Sequence, residues 1–329
     1  MKRYRLVLVG SFERSTSKDL FALAERVERL APEIEATVVG SRRSQQWKLL
    51  PHAFRPTLTL RFAAIERRRF LCGRILHCPL LLKHVEVERL RAAGIPVPDW
   101  VVIEPGTRLD PAVWGPYVVV KPTLGGRGDG VRIRKTERVR YQAPEPAAAG
   151  GPVRKAPLLA QRFVYTGPWA VSHRVCTLFG RALFCCRIEQ SHQKRRLERR
   201  WQFAGGETGG GIQIIASSKT STYSLADDED VIELAERAHR LAFPDYPLLG
   251  FDLVRDAESG QLSVLEANTS GQVWHLSSKV GISVQRAHGI DFYSQFGALD
   301  RAAEQLVEAT RRHARVAPIG RPQLPFTVG

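Results

Sequence analysis

Two carboxylates and one amide, Asp252, Glu266 and Asn268, belong to a stretch with the pattern of a β-hairpin. The stretch is GFDLVRDAESGQLSVLEANTSG, in which residues 251–255 and 262–267 are typical of short strands around a turn rich in Asp, Ser and Gly. Magnesium prefers oxygen ligands and commonly uses one or two protein carboxylates together with nucleotide phosphates. The three side chains are therefore candidate ligands of a magnesium-nucleotide complex.

The geometry of the hairpin decides whether these side chains meet. A loop of residues 258–260, with Gly260 in the left-handed conformation, places Asp252 opposite Glu266 on the partner strand. Side chains alternate along a strand, so Asn268 lies on the same face as Glu266. The alternative is an ordinary surface hairpin whose polar residues face solvent.

A second candidate for phosphate chemistry is the stretch YVVVKPTLGGRGDGVRIR at residues 117–134. A strand carries Lys121, Pro122 ends it, and a glycine-rich loop leads to another strand. Glycines allow consecutive backbone amides to approach an anion closely, and the lysine adds a point charge for phosphate. The ending GK[ST] of a Walker loop is missing, and a flexible hairpin tip is the alternative. The loop glycines are Gly125, Gly126, Gly128 and Gly130.

The start of the chain predicts an open α/β lobe. Residues 4–10 (YRLVLVG) form an apolar, β-branched run, and a helical pattern follows from about residue 17. Residues 35–39 and 57–62 predict further strands. The sequence GxGxxG is absent, so nothing here indicates a dinucleotide site.

Residues 80–94 predict a helix that ends at Gly94, and the extended run IPVPDWVVIEP after it leads into another lobe. Lys83 lies at the start of this helix. We expect an α/β (α+β) protein with lobes at residues 1–85, 86–160 and 161–329.

The remaining elements supply candidate cations. Arg174 and Arg187 fall within two predicted strands, at residues 173–179 and 181–189, and could reach phosphate or a developing anion. Further predicted elements are a strand at residues 158–164, a helix at 227–243 and a final helix at about 292–313.

Residues 191–201 (SHQKRRLERRW) form the densest basic run in the chain. It is interpreted either as a substrate-facing lid or as a solvated helix face, because Trp201 is the one aromatic residue that could stack on a base. The candidate contacts for an acidic acceptor are Lys194, Arg195, Arg196, Arg199 and Arg200.

Composition narrows the function classes. The formal net charge of +16 favours anionic partners, including a polyanionic or acidic peptide-like substrate or RNA, although an Arg-rich genome is the alternative explanation. No apolar run reaches membrane-spanning length and no signal peptide is evident, which predicts a cytoplasmic protein. The five cysteines form no CxxC pair, which favours reduced, buried thiols over a zinc site or a catalytic Cys.

Taken in order, these motifs resemble the ATP-grasp superfamily of carboxylate-amine ligases. The resemblance covers roughly residues 83–270: a Lys before GIPVP, the strand VVVKP before a glycine-rich loop, a strand ending in QRFV, then GFD and LEAN. The RimK-like, glutathione synthetase and D-alanine-D-alanine ligase branch is the most similar. It implies an N-terminal α/β lobe followed by two lobes that clamp ATP, and homodimers are frequent in the family.

The resemblance also implies roles for individual residues. Lys83 and Lys121 would contact ATP phosphates beneath the glycine-rich loop, and Asp252, Glu266 and Asn268 would carry two magnesium ions, with Mn²⁺ as a substitute. The adenine would be held by Gln161, Arg162, Phe163 and Val164.

This sequence departs from the family pattern in three places. The acidic residue for the ribose hydroxyls is missing, and so is the Pro-Gly that follows the EANT sequence. Gly250 stands where D-alanine ligases have an Arg, which passes the oxyanion role to Arg187 or Arg174. With Lys121, these arginines are the candidate catalytic residues.

The implied reaction is attack of a carboxylate on the γ-phosphate of ATP, followed by displacement of phosphate from the acyl phosphate by an amine. No protein nucleophile is needed, and the sequence does not rank His173, His192 or His275 as a base. Two alternatives stay open: an ATP-grasp kinase acting on a polyanionic small molecule, and a non-catalytic nucleotide-binding or nucleic-acid-binding protein.

Overall fold

The structure, a computed structural model, describes residues 2–10, 16–40, 55–62, 73–125, 130–141, 157–190, 196–202, 221–269 and 274–316. Several residues singled out by the sequence lie outside the described residues: Cys72, Gly126, Gly128, His192, Lys194, Arg195 and residues 205–211 and 271–273.

The first stretch of the chain forms a four-stranded parallel sheet with the order β2-β1-β3-β4. Its elements are β1 (Tyr4–Gly10), α1 (Thr16–Leu30), β2 (Ile34–Gly40), β3 (Thr57–Arg61) and β4 (Arg74–His77). Strand β1 is central because its apolar side chains are buried on both faces, and Leu20, Leu23 and Val27 give α1 a buried stripe against the sheet. The short β4 has no counterpart among the predicted strands.

The second stretch of the chain forms an antiparallel sheet with the order β5-β8-β6-β7. It is preceded by helix α2 (Lys83–Ala92) and contains β5 (Trp100–Val102), α3 (Pro111–Trp114), β6 (Tyr117–Pro122), β7 (Arg132–Lys135) and β8 (Leu158–Arg162). Val118, Val120 and Ala160 lie on one face and form its core. The opposite face of β6 carries Val119 and Lys121.

The third stretch of the chain forms an antiparallel sheet with the order β11-β10-β9-β12-β13. Its elements are β9 (Val171–Leu178), β10 (Arg181–Gln190), β11 (Ser221–Leu225), α4 (Glu229–Ala242), β12 (Leu248–Arg255), β13 (Leu262–Asn268), α5 (Lys279–His288) and α6 (Ala298–His313).

The two faces of the third sheet pack against different partners. Phe251 and its neighbours pack against α4 and α2, whereas Phe184 faces α6 and stacks on Phe292 with ring centroids 4.2 Å apart. This second core also contains Leu20 of α1 and Leu58 of β3, so the third sheet and the N-terminal sheet share buried surface.

Two of the boundaries that differ from the predictions concern the last helix and the second sheet. The predicted helix at residues 292–313 starts at Ala298, because Gly297 takes a left-handed conformation (φ 63°) that interrupts the helical pattern. The predicted lobe boundary after residue 160 cuts β8, whose pairing with β5 and β6 keeps it in the second sheet. The division into three lobes itself remains a prediction.

Candidate active site

The hairpin of β12 and β13 pairs Asp252 with Glu266, as predicted, but the loop length differs from the predicted one and the strands contain a β-bulge. The backbone N–H of Asp256 donates to the carbonyl of Gln261, so the loop comprises residues 257–260 and is longer than predicted. That loop alone would shift the register by one residue. A β-bulge between the Leu253–Val264 and Asp252–Glu266 pairs restores the facing of the two carboxylates.

The register also places Arg174 of β9 in this cluster, because β12 lies between β9 and β13 and pairs Asp252 with both Arg174 and Glu266. The guanidinium of Arg174 holds Asp252 in two hydrogen bonds, Nε to Oδ1 at 2.5 Å and Nη2 to Oδ2 at 2.8 Å. This is the bidentate geometry in which arginine binds carboxylates most strongly.

Asn268 is oriented by the same carboxylate. Its Nδ2 donates to Oδ2 of Asp252 and to the carbonyl of Gly250, both at 3.1 Å. The amide nitrogen is thereby used within the protein, which leaves Oδ1 as the atom of Asn268 suited to a metal. The donor set fits magnesium: two carboxylates and one amide oxygen.

Lys83 connects the start of α2 to this hairpin. Its Nζ lies 2.6 Å from Oε2 of Glu266, and both side chains are largely buried. The backbone N–H of Lys83 donates to the carbonyl of Thr123, just beyond β6. The first turn of α2 therefore contacts both the second and the third sheet.

Lys121 belongs to the same charged cluster. Its side chain is buried, and burial lowers the pKa of its ammonium group; Lys83 lowers that pKa further, whereas Glu266, Glu86 and Asp252 oppose the shift. These four groups come from α2, β12 and β13. Lys121 thus lies on the shared side of the second and third sheets, close to the candidate metal ligands.

Glu86 is a member of this cluster that the sequence interpretation missed. It is buried one helical turn after Lys83, and burial together with the nearby Glu266 raises the pKa of its carboxyl to about 8, against the opposing effect of Lys83 and Lys121. The spacing Lys83-x-x-Glu86 was the available signal, since residues three apart share a helix face.

We expect Glu86→Gln to change how stability depends on pH. Between its ordinary value of 4.5 and about 8, the native carboxyl keeps a proton that the unfolded chain releases, so the free energy of unfolding falls as pH rises through this window. Gln cannot ionise, so the variant should lose this slope. Urea unfolding at several pH values measures it, with the exposed Glu88→Gln of the same helix as control.

The candidate adenine residues are divided between two faces of β8. Gln161 pairs with Val119, two residues before Lys121, so Gln161 and Lys121 share a face. Gln161 is buried, and its Nε2 has no hydrogen-bond partner within the described part of the chain. Arg162 lies on the other face and is exposed near Asp99, so only its backbone could serve the adenine.

Phe163 and Val164 follow β8 directly. Phe163 is buried beside Tyr165 and Leu197, and Val164 is half-buried. For the glycine-rich loop, the described glycines Gly125 and Gly130 have φ of 123° and 76°. Both values favour glycine, and at Gly130 a Cβ would lie 2.8 Å from the Pro122 ring.

The placement of Arg187 contradicts the expectation that it shares the site of Asp252. Arg187 pairs with His173, whereas the neighbouring pair, Cys186 and Arg174, lies on the face of Asp252. Adjacent residues of a strand face opposite ways, so Arg187 lies on the face covered by α4, where it forms an ion pair with Glu189. Arg174 alone remains as the candidate arginine.

The structure separates the histidines that the sequence could not rank. His275 lies beside Arg174, with Nε2 3.4 Å from Nη1, and burial lowers the pKa of its imidazole to about 3, assisted by Arg174. His173 faces the opposite side of the sheet near Asp228. An imidazole with so low a pKa is a weak base. His275 is therefore no better a candidate than His173 for accepting the proton of the amine.

The described part of the basic run, residues 196–201, is not helical and contacts the hairpin turn. Arg200 donates to Asp256 and Glu258, each at 2.7 Å, while the Asp256 carboxylate accepts the backbone N–H groups of Glu258 and Ser259. The interpretation of Arg200 as a substrate contact is therefore replaced by a role in holding the turn.

Replacing Arg200 by Ala should reduce the free energy of unfolding by about 1–2 kcal/mol, because it removes the partner of a largely buried Asp256. Chemical denaturation measures the effect. Arg199→Ala is the control, since Arg199 is exposed and the described residues offer it no ion pair. A higher KM for an acceptor with unchanged stability would instead support the lid interpretation.

Other metal and thiol chemistry finds no support in the described residues. They contain no group of three or more His, Cys, Asp and Glu side chains that could hold a metal. Cys78, Cys176, Cys185 and Cys186 are free, and burial raises the pKa of Cys78, Cys176 and Cys186 to about 12. Such thiols are inert at neutral pH.

No helix in the described ranges combines the length and the hydropathy of a membrane span.

Solved structures similar to this chain identify the fold. The ATP-grasp ligase PsnB, complexed with a minimal precursor, has a TM-score of 0.50 and 16% identity over 93% of this chain and 98% of its own. The D-cycloserine synthetase DcsG has a TM-score of 0.50 and 17% identity over 92% and 99%. D-alanine-D-alanine ligase from Bacillus anthracis has a TM-score of 0.47 and 15% identity over 95% and 98%.

The first two matches show that the chain has the ATP-grasp fold, which confirms the fold class expected from the motifs. No protein-family model and no curated protein sequence matches the chain.

Proposed function

We propose that this protein is an ATP-dependent ligase that joins a carboxylate to an amine through an acyl phosphate. The observation that carries the proposal is the single cluster formed by Lys83, Lys121, Asp252, Glu266 and Asn268 where the second and third sheets meet. These are the residue types that phosphoryl transfer from a magnesium nucleotide requires. The ATP-grasp fold shared with known ligases supports the same reaction class.

Within this proposal the nucleotide spans the two sheets. Lys83 and Lys121 bind the phosphates, and Gly125 and Gly130 are the described glycines of the stretch expected to cover them. The adenine lies on the face of β8 and β6 that carries Gln161, whose unpartnered Nε2 would gain an acceptor there. A buried amide nitrogen without a partner is costly, so a bound base would remove this cost.

Asp252, Glu266 and Oδ1 of Asn268 would hold magnesium, two ions in all, with Mn²⁺ able to substitute. The bound metal would neutralise the charge that gathers on the phosphoryl oxygens during transfer. The chain's own contribution is orientation: Arg174 and Asn268 fix the two oxygens of Asp252, and Lys83 holds Glu266.

The proposed reaction has two steps. A substrate carboxylate oxygen attacks the γ-phosphorus of ATP, and the bond from that phosphorus to the bridging oxygen breaks, so ADP leaves. The amine then attacks the acyl carbon, the phosphate leaves with the electrons of the C–O bond, and the ammonium proton passes to phosphate or water. Lys121 and Arg174 stabilise the developing negative charges, so catalysis consists of positioning and electrostatic stabilisation.

An ADP-release screen tests the proposal. Carboxylic acids and amino acids are supplied with ATP and magnesium, with and without an amine. ADP release is measured, and the masses of the products are determined by mass spectrometry. An amide whose formation needs both substrates supports the ligase. A phosphorylated alcohol would show a kinase on the same scaffold, and tight ADP binding without turnover would show a nucleotide-binding protein. Gel filtration of the same sample tests the expected homodimer.

The acidic or peptide-like acceptor also remains a proposal. It draws on the net charge of +16, because long-range attraction raises the rate at which anions reach a positively charged protein. Within the screen, acidic acceptors should therefore show a KM that rises with salt, whereas neutral acceptors should not.

A further inference from the structure

The segment at residues 274–278 lies against the candidate metal site without contributing a predicted ligand. It follows β13 and ends at the start of α5, and one of its side chains, His275, contacts Arg174. Arg174 in turn holds Asp252. His275 is therefore two contacts away from the atoms that would bind magnesium.

The hydrogen bonds of His275 define which ring nitrogen carries the proton. A guanidinium only donates, so Nε2 of His275 must accept from Nη1 of Arg174. The proton then belongs to Nδ1, which lies 3.3 Å from Oγ of Ser278. Ser278 Oγ also accepts the backbone N–H of Gly281 at 3.0 Å and thereby caps α5. The imidazole is fixed from both sides.

The backbone of His275 is equally constrained. A Cβ at Gly281 would lie 1.6 Å from the carbonyl oxygen of His275, so only glycine allows α5 to approach this closely. On the other side, the buried Asp19 of α1 accepts from Nε1 of Trp274 at 2.7 Å, from the hydroxyl of Ser277, and from Tyr293. Asp19 of α1 thus fixes the segment that presents His275.

We propose that His275 is a positioning residue for the metal site: it accepts a hydrogen bond from Arg174 and so holds that guanidinium in its bidentate contact with Asp252. This rests on the proposed function. Outer partners of metal ligands orient those ligands, and their loss typically weakens metal binding by about 10–100-fold. Here the orienting group is a neutral imidazole that acts through an arginine.

The test measures Mn²⁺ binding in the presence of ADP by electron paramagnetic resonance. His275→Ala should weaken Mn²⁺ binding about tenfold. His275→Gln should bind Mn²⁺ nearly as the wild type does, because its amide oxygen can accept from Arg174 and its nitrogen can donate to Ser278. ADP binding without metal should be unchanged in both variants, since Lys83 and Lys121 are intact.

The matched control is His239→Ala. His239 is also buried, with a pKa lowered to about 4 by burial, and its ring nitrogens lie 2.7 Å from Thr177 Oγ1 and from the Tyr246 carbonyl. It lies on the α4 side of the sheet, so its loss should lower the melting temperature without changing Mn²⁺ affinity. This separates a fold defect from a positioning defect.

Each outcome bears on a different statement. Wild-type protein that binds no Mn²⁺ with ADP overturns the proposed function. Wild-type binding with His275→Ala equally tight overturns the positioning role of His275. If His275→Ala does not fold, the His275→Gln variant is the test. Weakened Mn²⁺ binding by folded His275→Gln would show that an acceptor for the Arg174 hydrogen bond does not maintain Mn²⁺ affinity, and it would overturn the inference.

Discussion

Replacing Glu266 by Gln should lower magnesium-dependent ADP release by at least about a hundredfold and weaken Mn²⁺ binding in the presence of ADP by a similar factor. The amide keeps the size of the side chain but removes the charge that a divalent cation needs. It also deprives Lys83 of its carboxylate partner at 2.6 Å. The effect should therefore appear in metal affinity as well as in turnover.

The control for this variant is Glu258→Gln, at the tip of the same hairpin. Glu258 is exposed, and its contact is with Arg200. Its replacement should leave Mn²⁺ affinity and ADP release near the wild-type values. Mn²⁺ binding by Glu266→Gln that matches the wild type would show that Glu266 is not a metal ligand.

The second large effect is expected for Lys121→Met. Methionine fills a similar apolar volume but removes the positive charge from the buried cluster with Glu86, Glu266 and Asp252. Loss of one preorganised charge at a site of developing negative charge typically costs about 10²–10³ in rate. Isothermal titration should also show weaker ADP binding.

Lys135→Met is the matched control, because Lys135 lies on the neighbouring strand β7 at the far end of its pairing with β6. It should bind ADP with wild-type affinity. A Lys121→Met protein with normal ADP affinity and turnover would remove Lys121 from the phosphate site and would leave the proposed reaction without one of its two lysines.

The hairpin shows what the sequence could predict and what it could not. Alternation and the left-handed Gly260 were sufficient to place Asp252 opposite Glu266, and Gly260 has the expected φ of 72°. The compensating bulge was not predictable, since bulges depend on how both strands pack against the rest of the sheet. The predicted loop is one residue shorter than the observed loop. The bulge compensates for this extra residue, so the predicted pairing of Asp252 with Glu266 is nevertheless correct.

Arg187 and Glu86 illustrate two different limits of the sequence. Both Arg174 and Arg187 occur in correctly predicted strands, but only the register of β9, β10 and β12 decides which arginine faces Asp252. Register is set by long-range packing. Glu86 lies on a correctly predicted helix, yet a glutamate at a helical position is usually exposed, and its burial follows from the packing of α2 against β13.

The paired charges around the hairpin have a consequence for the order of events in a binding cycle. Without a ligand, Glu266 and Asp252 already have cationic partners, and those same cations would otherwise attract phosphate. Each of the two carboxylates thus has a counter-ion within the chain, and in the proposed function a metal ion or a nucleotide that arrives alone must compete with that counter-ion. When metal and nucleotide bind together, the metal can share Asp252 and Glu266 while the phosphates share Lys83, so we expect each to strengthen the binding of the other by the same factor.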